Sequence, residues 1–125
     1  MAEASDYLED ELLDHVFGNA TYTSPASVWV KLFLADPTDD GTGTAALETT
    51  RKQATFGTAS GGSITTTADI EWTNVSTTET YSHIGIYDAS SGGNLLCHTA
   101  LDASRAITAG ENFTIPSGSL TVTLA

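Results

Sequence analysis

Beyond Ser24-Pro25 the apolar residues recur at every second position, and this period constrains the fold more than any other feature of the chain. Val28, Val30, Leu32 and Leu34 fall on one side of an extended segment, with Trp29, Lys31 and Phe33 on the other. Side chains alternate across a strand, so this segment reads as a strand buried on one face and largely covered on the second. Ile64, Thr66, Ala68, Ile70 and Trp72 alternate in the same way against Thr65, Thr67, Asp69 and Glu71, which predicts one strand with a core face and a wet face. Ile84 and Ile86 oppose Tyr81, His83, Gly85 and Tyr87, and the turn residues Ser90-Ser91-Gly92-Gly93-Asn94 lead into 95–101, the signature of a hairpin. Shorter strands are expected over 49–56, around Ala106, around Phe113, and through Leu120, Val122 and Leu124. Short strands, frequent turns and no intervening helices argue for an antiparallel β-sandwich or jelly-roll-like domain. Threonine is the commonest residue, and its branched side chain suits a pleated surface.

The period is different only at the start. Leu8, Leu12 and Val16 recur every fourth residue with Leu13 and Phe17 beside them, which predicts a helix over 5–17. Ser5 or Asp6 is placed to cap it, Glu9, Asp10 and Glu11 fall in its early turns, and Gly18 is expected to end it. The whole is therefore expected to be all-β with one N-terminal α-helix, a single domain over 1–125 with the sandwich occupying 27–125. A stripe of five apolar residues on an acidic helix must be buried, either on its own domain or on a neighbouring subunit. Leu8, Leu12, Leu13, Val16 and Phe17 are accordingly the candidate assembly residues.

Charge narrows the function. Sixteen Asp and Glu stand against four Lys and Arg, a net charge of −12. Such a surface repels phosphates and anionic headgroups, so neither nucleic-acid binding nor membrane insertion is expected. Lys31, Arg51, Lys52 and Arg105 cannot pair most of the carboxylates, which suits a salt-rich medium that screens self-repulsion. The N-terminus shows no secretory pattern, so synthesis in the cytoplasm is expected. Cys97 lies in the apolar run Leu95-Leu96-Cys97, which makes it a buried thiol and not a nucleophile.

Few residues suggest chemistry. His83 and His98 could sit on adjacent antiparallel strands and share a metal, with Asp88, Asp102 and Cys97 nearby, but no spacing favours acyl transfer. No nucleophile elbow or phosphate-cradling loop is present, and the expectation is a protein with no catalytic residues and no cofactor. The loop Asp36-Pro37-Thr38-Asp39-Asp40-Gly41 nearly copies the start of the helix-loop-helix calcium motif, then fails by placing Leu47 where its bidentate glutamate belongs. Asp36, Asp39 and Asp40 are thus a weak cation candidate within an exposed loop over 36–46. Asn19, Asn74 and Asn112 each begin an Asn-x-Ser/Thr triplet, the acceptor pattern used by glycosylating hosts. Trp29, Trp72 and Tyr87 would make a sugar-binding platform if they shared a surface, although Trp72 lies on the core side of its strand.

Five segments together resemble a known family. They are Ser5-Asp-Tyr-Leu-Glu-Asp-Glu-Leu-Leu-Asp-His-Val-Phe, Val28-Trp-Val-Lys-Leu-Phe-Leu-Ala-Asp-Pro-Thr with the acidic glycine loop after it, Ser82-His-Ile-Gly-Ile-Tyr-Asp-Ala-Ser-Ser-Gly-Gly-Asn-Leu-Leu, and the ending from Ala109-Gly-Glu-Asn-Phe-Thr to Leu124. In that order they are similar to short virion structural proteins of tailed phages and proviruses, often labelled tail fibre or minor structural protein. The resemblance covers nearly the whole chain and carries no catalytic signature, so it implies a structural role. Members of that family are less acidic, and this departure points to a haloarchaeal tailed virus. The resemblance implies a component of the virion. The expected placement is a capsid-surface decoration or turret protein forming a symmetric homo-oligomer, a trimer or ring, on the major capsid lattice. A tail or tail-fibre-associated subunit touching tail proteins and the host surface is the alternative, and a carbohydrate-binding module the alternative of another class.

Overall fold

The computed structural model describes residues 3–124. In chain order its elements are β1 (Glu3–Ala4), α1 (Asp6–Val16), β2 (Val28–Phe33), β3 (Lys52–Ala54), β4 (Ser63–Thr65), β5 (Ile70–Trp72), β6 (Glu79–Tyr87), β7 (Leu95–Ile107), β8 (Phe113–Ile115) and β9 (Thr121–Thr123). The period of two builds an antiparallel five-stranded sheet in the order β1-β7-β6-β2-β3. Two separate ribbons, β4-β9 and β5-β8, supply the second layer. The chain is all-β with a helix near its N-terminus, as its periodicities require.

The inner face of the sheet presents Val30 and Leu32 from β2, Ile84 and Ile86 from β6, and Leu96 and Cys97 from β7. The β5-β8 ribbon lays Ile70, Trp72, Phe113 and Ile115 across them, and the β4-β9 ribbon contributes Val122 at the margin. Each such apolar side chain withdrawn from water is worth roughly 1.5–3 kcal/mol. Trp72 and Tyr81 flank Phe113 at ring-centroid distances of 5.7 and 5.3 Å, and the Trp72 indole N–H donates to the Thr50 carbonyl at 2.7 Å.

The strands differ from the expected ones in four places, each for a local reason. The run from Ile64 to Trp72 is not one strand. It changes partner, Ile64 pairing with Val122 and Ile70 with Ile115, while Thr66 and Thr67 donate to the carbonyls of Leu120 and Thr55 in between. The segment around Ala106 is no separate strand but the far end of β7, because a bulge lets pairing resume: the step from Tyr81 to His83 on β6 faces the step from Ala100 to Arg105 on β7. That same irregularity turns Tyr81 from its expected outward position into the core, where it is 0% exposed. The strand expected over 49–56 shortens to β3, with Phe56 bridging Thr66.

At the helix, Ser5 is the cap: the Leu8 N–H donates to its Oγ at 3.2 Å. Asn19, not Gly18, takes the left-handed backbone beyond the last turn (φ 59°). The apolar stripe divides along its length. Tyr7 and Leu8 pack on the core, Leu12 is half-buried, and Leu13, Val16 and Phe17 are 56%, 60% and 78% exposed.

Candidate functional site

The loop over 36–46 is not a free excursion. The Leu34 N–H donates to Thr44 O, the Ala46 N–H donates to Leu32 O, and Phe33 bridges Ala45, so the loop folds back over the outer face of the sheet. There it covers a second, smaller apolar cluster of Phe33, Tyr87 and Leu95, and its own Pro37 is buried. Gly85 makes this possible, since a Cβ at that position would stand 2.9 Å from Leu95 and 3.0 Å from Phe33.

The fold-back carries acidic residues onto a histidine. Past the register irregularity at Leu96, side chains of β7 alternate between faces, so Cys97 joins the core while His98 faces outward. His98 is only 6% exposed. Its Nε2 lies 2.8 Å from Asp39 Oδ1 and its Nδ1 lies 3.6 Å from Asp36 Oδ1. Glu3, directly across on β1, completes the group: one ligand atom each from Glu3, Asp39 and His98 lie within 4.8 Å of one another. Asp39 stands in the same relation to Asp6 and Glu9 of the first helical turn. Thr38 holds a left-handed conformation (φ 61°), which a β-branched residue adopts only under constraint. The constraint is visible: its N–H donates to Asp36 Oδ1 at 2.9 Å and its hydroxyl to Asp40 Oδ1 at 2.6 Å. Asp40 therefore shapes the loop. Hydrogen bonds from Thr38 and Thr42 hold its carboxyl below the usual carboxylate range.

Of the sequence candidates, Asp36 and Asp39 thus converge on His98 whereas Asp40 does not. His83 shares a surface depression with Glu3, Asp36 and His98, but its Nδ1 contacts Ser82 Oγ at 2.8 Å. Glu3 was missed by sequence reasoning, because a two-residue edge strand has no periodicity to read. Cys97 and His98 face away from each other, and burial pushes the Cys97 thiol up to about 11. Trp72 is 1% exposed in the core, and Arg51 lies 4.1 Å over the Tyr87 ring, so the three-ring platform does not form. Asn19, Asn74 and Asn112 are all exposed, and Asn112 Oδ1 accepts from the Asn74 N–H at 3.0 Å. Among the described residues no helix is long and apolar enough to cross a membrane.

The family model described as Podophage GP4 fiber I protein gp80 matches residues 3–123. The chain belongs to this family. A fibre I protein is a structural, virion-associated component of tail-fibre type, in keeping with the β scaffold described above. The match spans β1 to β9, so the histidine cluster and the exposed helix tip both lie inside the fibre I region. No curated protein matches the sequence.

Proposed function

We propose that this fibre I protein is a non-enzymatic subunit of the tail or tail fibre of a tailed virus particle, joined to copies of itself or to adjoining virion proteins through the tip of α1. The family match favours the fibre over the capsid surface. Leu13, Val16 and Phe17 support the role of the helix: three large apolar side chains in water on one short element carry a free-energy cost that assembly would relieve. Cys97 supplies the histidine cluster with no nucleophile, since it lies across the sheet with a thiol that stays protonated near neutral pH.

Gold labelling of purified particles tests the placement. Label at the tail or fibres is expected, and label confined to the capsid shell would replace this reading with a capsid-surface decoration. Phe17→Asp tests the helix. The isolated variant should melt within about 0.5 kcal/mol of wild type, as exposed substitutions do, while its copy number per particle falls. Unchanged incorporation would remove α1 from the interface.

A further inference from the structure

We propose that Glu3, Asp39 and His98 form a binding site for one divalent transition-metal ion of the Zn²⁺ type, with Asp36 as the positioning residue behind the imidazole. The argument rests on the ring. Both nitrogens of His98 face carboxylates, Nε2 towards Asp39 at 2.8 Å and Nδ1 towards Asp36 at 3.6 Å. Ionised carboxylates accept hydrogen bonds and cannot donate them, and a neutral imidazole has one N–H and one lone pair. Whichever nitrogen keeps the hydrogen, the other aims its lone pair at a carboxylate oxygen. In a residue 94% withdrawn from water that arrangement calls for a cation, either a second ring hydrogen donated to the facing carboxylate or a metal ion bound on the lone pair.

A ring hydrogen needs only one facing carboxylate, whereas here a third donor, Glu3, joins the group, and this favours the metal ion. If Nδ1–H faces Asp36, the Nε2 lone pair and the oxygens of Asp39 and Glu3 converge on one point, their atoms within 4.8 Å of one another. This is the carboxylate–histidine–metal relation in which the rear carboxylate fixes the tautomer. A set of one imidazole and two carboxylates suits Zn²⁺, whose bonds of about 2.0–2.2 Å set tetrahedral ligand atoms about 3.3–3.6 Å apart, so the exposed Asp39 carboxylate would draw back from its 2.8 Å contact to admit the ion. Calcium and magnesium demand an all-oxygen shell and are disfavoured by the nitrogen. The three ligands come from β1, the acidic loop and β7, so a bound ion would tie the edge strand and the fold-back loop to the sheet. The depression lined by Glu3, Asp36, His83 and His98 opens on this point and gives the ion its route.

The test is calorimetric titration of metal-stripped full-length protein with Zn²⁺, alongside nitrogen-15 NMR of its histidines. One saturable ion per chain is expected, with the His98 Nε2 resonance shifted and those of His15 and His83 unmoved. Glu3→Gln and Asp39→Asn, both at exposed positions, should each weaken binding at least about tenfold, and Asp36→Asn about 10–100-fold with the metal-free melting temperature unchanged. Asp10→Asn, at an exposed position of α1 outside the ligand set, should leave affinity intact. Unsaturable binding, equal loss in Asp10→Asn, or a His98 ring that responds to protons and not to Zn²⁺ would overturn the site. None of these outcomes bears on the placement in the virion.

Discussion

Ser5 joins three structures with one side chain. Its Oγ accepts from the Leu8 N–H and donates to the Leu95 carbonyl, while its own N–H donates to Leu96 O at 2.8 Å. Ser5→Ala leaves a helix N–H and a strand carbonyl without partners in a fully buried position. We expect a loss of roughly 1–3 kcal/mol in urea denaturation, more than a surface cap alone would cost. Tyr81 is the opposite case. Its hydroxyl is buried beside Phe113 with no hydrogen-bond partner among the described residues. An orphaned buried hydroxyl costs about 1–3 kcal/mol, so Tyr81→Phe should hold or raise the denaturation midpoint. A clear fall would instead reveal an ordered water bound at that oxygen. Glu48 shows how a buried charge is kept: burial pushes its carboxyl up, but hydrogen bonds from Ser76 and Thr50 outweigh burial and hold it below the usual carboxylate range.

The outer apolar cluster exists because β6 offers a glycine where a side chain would collide. Gly85→Val should therefore destabilise the protein by roughly 1–3 kcal/mol through overpacking against Phe33, Tyr87 and Leu95. Chemical denaturation measures it, and a neutral result would mean that the loop over 36–46 lifts without cost. This cluster also marks the limit of what could be read from the sequence. Period two located β2, the β6-β7 hairpin and β9, and the spacing of Leu8 and Leu12 located α1, because each of these elements presents a regular face to the core. Reading failed where pairing is irregular. Tyr81 was assigned to the wrong face since a bulge inserts residues into β7, and β4 and β5 were merged since alternation persists across Thr66 while the partner strand changes. The histidine site was half legible: the acidic loop and His98 stood out separately, but only the fold-back over the sheet brings Asp36 and Asp39 to the ring. Glu3 carried no signal at all.

The whole molecule carries its net charge of −12 almost without internal compensation. Among the described residues no Lys or Arg pairs with a carboxylate, and the two close contacts of this type run from the His98 ring to Asp36 and Asp39. Lys31 and Arg51 lie instead over aromatic rings, Lys31 5.2 Å from the Phe33 centroid and Arg51 4.1 Å from that of Tyr87. Repulsion among exposed carboxylates must then be screened by the medium, and the screening length falls from about 10 Å at 0.1 M to about 3 Å at 1 M. The melting temperature is expected to climb steadily between dilute and molar NaCl in calorimetry, and a flat profile would remove the case for a saline host.

Sheet, ribbons and loop together cover the β6-β7 hairpin on both sides, leaving residues 84–87 and 95–98 as two unbroken buried stretches. Backbone amides there are shut away from solvent twice over, whereas the helix tip and the acidic turn lie outside that double wall. Substitutions that retune how one particle grips its neighbour can accumulate at the periphery, and the hairpin at the centre need not register them.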